Sequence, residues 1–187
     1  LGRRSEEGTH FAVIAVSVEL VETVTTSFGK EIGEDLQRTL AERLVSAAAA
    51  YDGSSTTEAA TVACVGRGEF AVLCHPRERR DEAGELAACF RHELNKPVSI
   101  NDEHLRPTAL TGIAYGPCEQ GDAIQVLSDA RLAVGKARES GGAATYDGAM
   151  RTEMVNRLRL EGDLVRALKN GEFHLEFQPI VESDTGR

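Results

Sequence analysis

Metal-binding patterns of cysteine and histidine are missing from this sequence. The four cysteines (Cys64, Cys74, Cys89 and Cys118) include no CxxC pair, and the five histidines (10, 75, 92, 104, 174) are scattered without zinc-finger spacing. A structural zinc or a disulfide framework is thereby excluded, and the thiols read as reduced, packed side chains of a cytoplasmic protein. Positive charge is also short: Lys and Arg number 21 against 30 Asp and Glu, for a net −9. A domain this acidic lacks the basic surface that nucleic acid or anionic lipid requires, although a few local bases or a metal can still seat a nucleotide. No stretch reaches the length of a membrane span, and no secretory apolar segment follows the basic start LGRR.

What is present is an ordinary globular composition, 41% hydrophobic and 27% charged over 187 residues. That length suits one well-packed domain with part of another. HFAVIAVSV (10–18) is apolar and β-branched throughout, as in a central strand buried on both faces. A short helix follows over 20–27, closed by Gly29. The next amphipathic helix sets Ile32, Leu36, Leu40 and Leu44 on one face, with Glu34, Asp35, Arg38 and Glu42 opposite. YDGSSTTEA is a polar loop.

ACVGRGEFAVLC (63–74) places Gly66-Arg67-Gly68-Glu69 between two apolar runs and reads as a tight hairpin, with strands at 61–65 and 70–74. A helix over 78–96 buries Ala83, Leu86, Ala87, Phe90 and Leu94. A small hairpin turns at Asn101-Asp102, and TALTGIAYG is a strand whose neighbour Pro107 marks an edge or irregularity. A helix over 122–139 is expected to bury Ile124, Leu127, Ala130 and Val134, and AATY adds a short strand. A charged helix over 149–170 stops at Gly171, and EFHLEFQPIV reads as a further strand. Interleaved helices and strands with a tight hairpin give an α/β class with a mixed, largely antiparallel central sheet flanked by helices.

These pieces, in this order, resemble the GGDEF family, the diguanylate cyclase domains that make cyclic di-GMP from two GTP. The family pattern has a strand ending Asp-x-Asp, a G-H-x-x-G-D turn into a helix, the Gly-Gly-Asp/Glu-Glu-Phe hairpin, a T-x-S-x-G strand and an A-D-x-A-x-Y-x-A-K helix. Here they read VIAVSVEL, FGKEIGEDL, GRGEF, TALTGIA and ARLAVGKARESGG. The likeness covers residues 8–148 and implies a nucleotidyl cyclase-like fold. The tail, RLRLEGDLVRALKNGEFHLEFQPIVESDTGR, resembles the first helix and strand of an EAL domain, a cyclic di-GMP phosphodiesterase. There Gln178 stands at a ligand-lining position, and the Glu-Ala-Leu motif would follow Arg187. Domains are accordingly set at 1–148 for the GGDEF-like part and 149–187 for a linker helix and the start of an EAL domain, in a chain that looks cut from a longer tandem protein.

In-line phosphoryl transfer depends on positioning and on divalent metals held by carboxylates. The resemblance implies carboxylates at the first strand acid and at the hairpin pair. Here the strand acid is Ser17, the third hairpin residue is Gly68, and Glu69 alone keeps its charge. Glu19 falls on the Ser17 face by alternation, but roughly 6–7 Å further along the strand. The guanine-reading positions carry Thr25 and Glu34, the phosphate-binding Lys becomes Arg138, and a downstream Arg becomes Gly142. Arg67 replaces the second signature glycine, where a positive φ would cost about 1–2 kcal/mol. It reads as a solvated turn residue or as a contact for a phosphate or a partner's carboxylate. Phe70 is expected to pack into the core. The product-inhibition motif Arg-x-x-Asp falls on Thr57 and Ala60 and is absent.

The resemblance therefore implies a catalytically inactive GGDEF domain (signature Gly66, Arg67, Gly68, Glu69, Phe70) that modulates an adjoining EAL phosphodiesterase. The resemblance puts its nucleotide contacts on Thr25, Glu34, Glu69 and Arg138. No metal or other cofactor is expected, with Mg²⁺ present only if GTP binds as an effector. The partners are the EAL domain and, more weakly, a second copy of the chain, with no nucleic acid and no membrane contact by this segment. A longer protein anchored by upstream segments stays open. So do two alternatives: a weakly active cyclase using Glu19, Glu34 and Glu69, and an interaction domain without nucleotide affinity.

Overall fold

β1 (His10–Val18) is the strand on which the rest is assembled. In the computed structural model, which describes residues 10–52, 60–75, 81–100, 103–117 and 123–177, Phe11 to Val16 are all buried. Alternation divides them between two cores. Ala12, Ile14, Val16 and Val18 face one cluster, while Phe11, Val13 and Ala15 face a second.

The five-stranded sheet has the order β2-β3-β1-β6-β7. β2 (Thr61–Gly66) and β3 (Glu69–Cys74) form the hairpin, β3 and β6 (Ala109–Pro117) flank β1 antiparallel, and β7 (Ala143–Thr145) joins β6 in parallel. β4 (Val98–Ile100) and β5 (Glu103–Leu105) make a separate two-stranded sheet. The turn at 101–102 lies outside the described residues.

α1 (Leu20–Phe28), α2 (Lys30–Asp52) and α3 (Asp81–Leu94) supply the first core. Leu36, Leu40 and Leu44 are wholly buried, as their four-residue spacing predicts, and Ala83, Leu86, Ala87, Phe90 and Leu94 of α3 join them. Gly29 ends α1 at φ 95°, the left-handed region that suits glycine. Arg43 of α2 ties the end of α3 to this core by donating to the carbonyls of Lys96 (2.6 Å) and Pro97 (2.8 Å).

α4 (Ala123–Ser140) covers the other face, and here the sequence reading needs correction. Ile124 is 84% exposed, and the inward stripe is Val126, Ala130, Ala133 and Ala137, with Leu127 and Val134 only partly buried. Small residues let the helix backbone reach the sheet. A Cβ on Gly112 of β6 would lie 2.1 Å from the Ala130 carbonyl oxygen, so α4 and β6 are almost in backbone contact. At that separation alanines fill the interface beside Gly112, and Ile124, two residues before Val126, lies about 160° around the helix from the inward stripe.

Two units divide the chain, Leu1–Arg151 and Thr152–Arg187. The boundary falls within α5 (Gly148–Lys169), a helix with no buried residue. The strand expected after it is not formed: residues 172–177 carry no ladder, and Phe173, Leu175 and Phe177 are exposed. A strand needs a hydrogen-bonded neighbour, and among the described residues it has none. Among the described residues, no helix is long and apolar enough to cross a membrane.

Candidate functional site

The hairpin tip is the natural focus, because the ladder brings two of the sequence-derived positions together. Ser17 stands directly across from Glu69 in the β1–β3 pairing, and paired residues share a face, with Cβ atoms about 5 Å apart. Phe70, next along, turns inward and is 1% exposed, as its place in the signature suggests.

Gly68 shapes the tip. Its φ is 68°, and a Cβ there would lie 2.4 Å from the Val18 carbonyl oxygen. Its carbonyl accepts from the Val18 N–H at 2.8 Å, pinning the turn to the end of β1. Its own N–H donates to Gln37 Oε1 of α2 at 3.1 Å, and Gln37 Nε2 donates to Cys64 Sγ at 2.9 Å. Gln37 thus holds both sides of the hairpin. Cys64 is exposed on edge strand β2 rather than packed as a small hydrophobe, whereas Cys74 and Cys89 are partly buried. The positive-φ glycine of the tip is therefore Gly68, the third signature residue.

Three carboxylates surround this tip, and each holds an arginine. Glu69 accepts from Arg131 Nη2 at 2.9 Å, and the same nitrogen lies 3.4 Å from the Val65 carbonyl oxygen. Glu22 lies 3.4 Å from Arg67 Nη1. Glu19 pairs with Arg138. Glu19 is not a continuation of the Ser17 face: β1 ends at Val18, and Glu19 (φ −61°, ψ −25°) caps α1 with helical backbone. The alternation argument fails because the strand stops one residue too early.

The remaining positions are not joined to the tip by hydrogen bond or ion pair. Thr25 Oγ1 donates to the Val21 carbonyl at 2.7 Å and packs against Gly33, where a Cβ would lie only 2.0 Å from that oxygen. Its hydroxyl is thus engaged within α1. Glu34 is exposed and lies 3.5 Å from Lys30, one turn back on α2. Gly142 leaves room that a neighbour fills, since a Cβ there would meet Arg91 Nη1 at 2.9 Å. Arg91 Nε is buried without a hydrogen-bond partner. Ala60 immediately precedes β2, while Thr57 and Gln178 lie outside the described residues.

Divalent magnesium takes oxygen ligands, mainly carboxylates. Ser17 offers a hydroxyl, Gly68 no side chain, and Glu69 a carboxylate already bound by a guanidinium. Among the described residues no three His, Cys, Asp or Glu side chains converge on a point where a metal would fit. The donor set does not suit a resident cation.

A family model described as "Diguanylate cyclase, GGDEF domain" matches residues 1–144. The chain belongs to the GGDEF family. MucR of Pseudomonas aeruginosa, named a bifunctional diguanylate cyclase/cyclic di-GMP phosphodiesterase, is 28% identical over 178 residues, 94% of this chain and 25% of that protein. The oxygen sensor protein DosP of Escherichia coli is 30% identical over 104 residues, 54% of this chain and 13% of that protein. This GGDEF chain spans about a quarter or less of the length of such curated relatives. Among solved structures, the GGDEF domain of YfiN from Pseudomonas aeruginosa aligns with a TM-score of 0.64 at 19% identity, over 78% of this chain and 82% of that one. An EAL/GGDEF domain protein from M. capsulatus aligns at 0.61 and 21% identity, over 77% and 88%. The mixed, mostly antiparallel sheet flanked by helices is the GGDEF fold.

Within that fold, Arg131 and Gln37 are the contacts that motif reading passed over. Laid on the A-D-x-A-x-Y-x-A-K pattern, the helix reads Ala130-Arg131-Leu132-Ala133-Val134-Gly135-Lys136-Ala137-Arg138, with Arg131 where the pattern has its acid. That reversal of charge was legible. Gln37 carries no motif signal, and only the register of α2 against the hairpin reveals it.

Proposed function

We propose that this GGDEF domain is non-catalytic and acts as a regulatory or scaffolding module within a longer cyclic di-GMP signalling protein, beside an EAL phosphodiesterase domain. One observation carries the reading: of Ser17, Gly68 and Glu69, only Glu69 has an anionic oxygen, and Arg131 holds it. Cyclisation needs the ribose hydroxyl activated and the triphosphate charge neutralised together, and a single neutralised carboxylate does neither. The tandem arrangement is supported by MucR and by NbdA, named a cyclic di-GMP phosphodiesterase, each matched over more than nine-tenths of this chain. Arg138, exposed and held by Glu19, is the residue most suited to meet a phosphate of GTP acting as an effector, with Mg²⁺ arriving on the nucleotide.

Incubating the chain with GTP and Mg²⁺ or Mn²⁺, and resolving the products chromatographically, tests the reading. No cyclic di-GMP is expected. Turnover that disappears in Glu69→Ala would establish a weak cyclase instead. Calorimetry with GTP then separates an effector-binding domain from a purely structural one.

A further inference from the structure

We propose that Arg131 is a built-in counter-cation of the hairpin tip, which denies a divalent ion access to Glu69. α4 lies over the sheet face that carries Ser17 and Glu69, and Arg131 projects beside the buried Ala130 to reach the rim of that face. Its Nη2 contacts two oxygens of the kind a hard cation would take, Glu69 Oε2 at 2.9 Å and the Val65 carbonyl at 3.4 Å. The guanidinium therefore holds both the charge and the ligand atoms of that position. The other two carboxylates nearby are closed in the same way, Glu22 by Arg67 and Glu19 by Arg138. Each pair is roughly half-exposed, and pairs so placed contribute little to stability, so stability alone does not explain three arginines here. Their consequence is electrostatic: the tip presents neutral pairs where free carboxylates would attract a cation. The proposal deepens the non-catalytic reading and rests on it in that Glu69 is taken to hold no metal.

The test measures Mn²⁺ binding to the full chain by loss of the free-ion paramagnetic resonance signal. Arg131→Asp removes the guanidinium and sets a second carboxylate beside Glu69. It is expected to create one saturable site, at least about tenfold tighter than any binding by the wild type, given what a nearby charge of either sign does to an ionic equilibrium. The site should vanish in Arg131→Asp/Glu69→Gln, and Arg131→Lys should resemble the wild type. Should Arg131→Asp fail to fold by circular dichroism, Arg131→Gln must show a Glu69-dependent gain of its own. Equal affinity in the wild type and the folded variant, or a gain that persists without Glu69, overturns the proposal. Cyclic di-GMP formed by wild-type protein overturns the non-catalytic reading and is read separately from Mn²⁺ affinity.

Discussion

Adding one methyl group at the hairpin tip tests the geometry of the whole site. Gly68→Ala would have to hold φ near 68° and bring a Cβ to 2.4 Å from the Val18 carbonyl oxygen. The left-handed backbone costs about 1–2 kcal/mol for a residue with a Cβ. Relieving the contact means moving the turn away from β1, which lengthens the Val18 N–H to Gly68 bond (2.8 Å) and the Gly68 N–H to Gln37 bond (3.1 Å). Each such bond contributes about 1 kcal/mol net, so with both lost the total is about 3–4 kcal/mol. Gly66→Ala is the matched control, because the tightest contact of its Cβ would be the flexible end of Glu69, Oε2 at 3.1 Å, with no backbone atom in the way. With no tryptophan in the chain, urea unfolding is best followed by far-ultraviolet circular dichroism. Gly68→Ala should unfold at clearly lower urea than Gly66→Ala. Equal midpoints would mean that the tip is not pinned to β1, and the placement of Glu69 opposite Ser17 would lose its support.

Phe70→Ala empties a fully buried position and should cost about 3–5 kcal/mol in the same urea assay. Arg43→Ala removes charged donors from the Lys96 and Pro97 carbonyls and should cost about 1–3 kcal/mol, with faster amide exchange at the end of α3. Glu93 is held below the ordinary carboxylate range, chiefly by its hydrogen bond from Lys96. Its contribution is therefore present above that range and lost as pH falls through the lowered value. Lys96→Met should lower the urea midpoint at neutral pH, and the gap from wild type should close once Glu93 is protonated; a gap unchanged with pH would count against the pairing.

Much of this fold was legible because its signals are local. The apolar run of β1, the four-residue spacing on α2 and the Gly-Arg-Gly-Glu turn each report on neighbours a few residues apart, and each element lies where its pattern puts it. Two positions depart from what their residue patterns predict. Apolar character alone puts Ile124 inward, whereas helical geometry sets it on the side of α4 opposite Val126, Ala130, Ala133 and Ala137. Carrying the alternation one residue past Val18 puts Glu19 on a strand face, and whether residue 19 extends a strand or caps a helix depends on the tertiary position of α1. The loss of acids at Ser17 and Gly68 was readable from the motif. The pairing of arginines with the remaining acids was not, since Arg131 and Glu69 are 62 residues apart.

The substitutions form a set. A site that had merely lost its acids would leave Glu69, Glu22 and Glu19 as an unbalanced group of negative charges near the turn, attracting cations and repelling any phosphate. Each instead faces a guanidinium: Arg67 on the tip itself, Arg131 and Arg138 two turns apart on α4. The arrangement gives the face near-neutral charge and fixes α4, α1 and the hairpin to one another through contacts that an arriving anion can exchange. On the non-catalytic reading proposed above, a phosphate at Arg138 would compete with Glu19, the residue that caps α1. On that reading, such a face would serve to sense an anion rather than to perform chemistry on it.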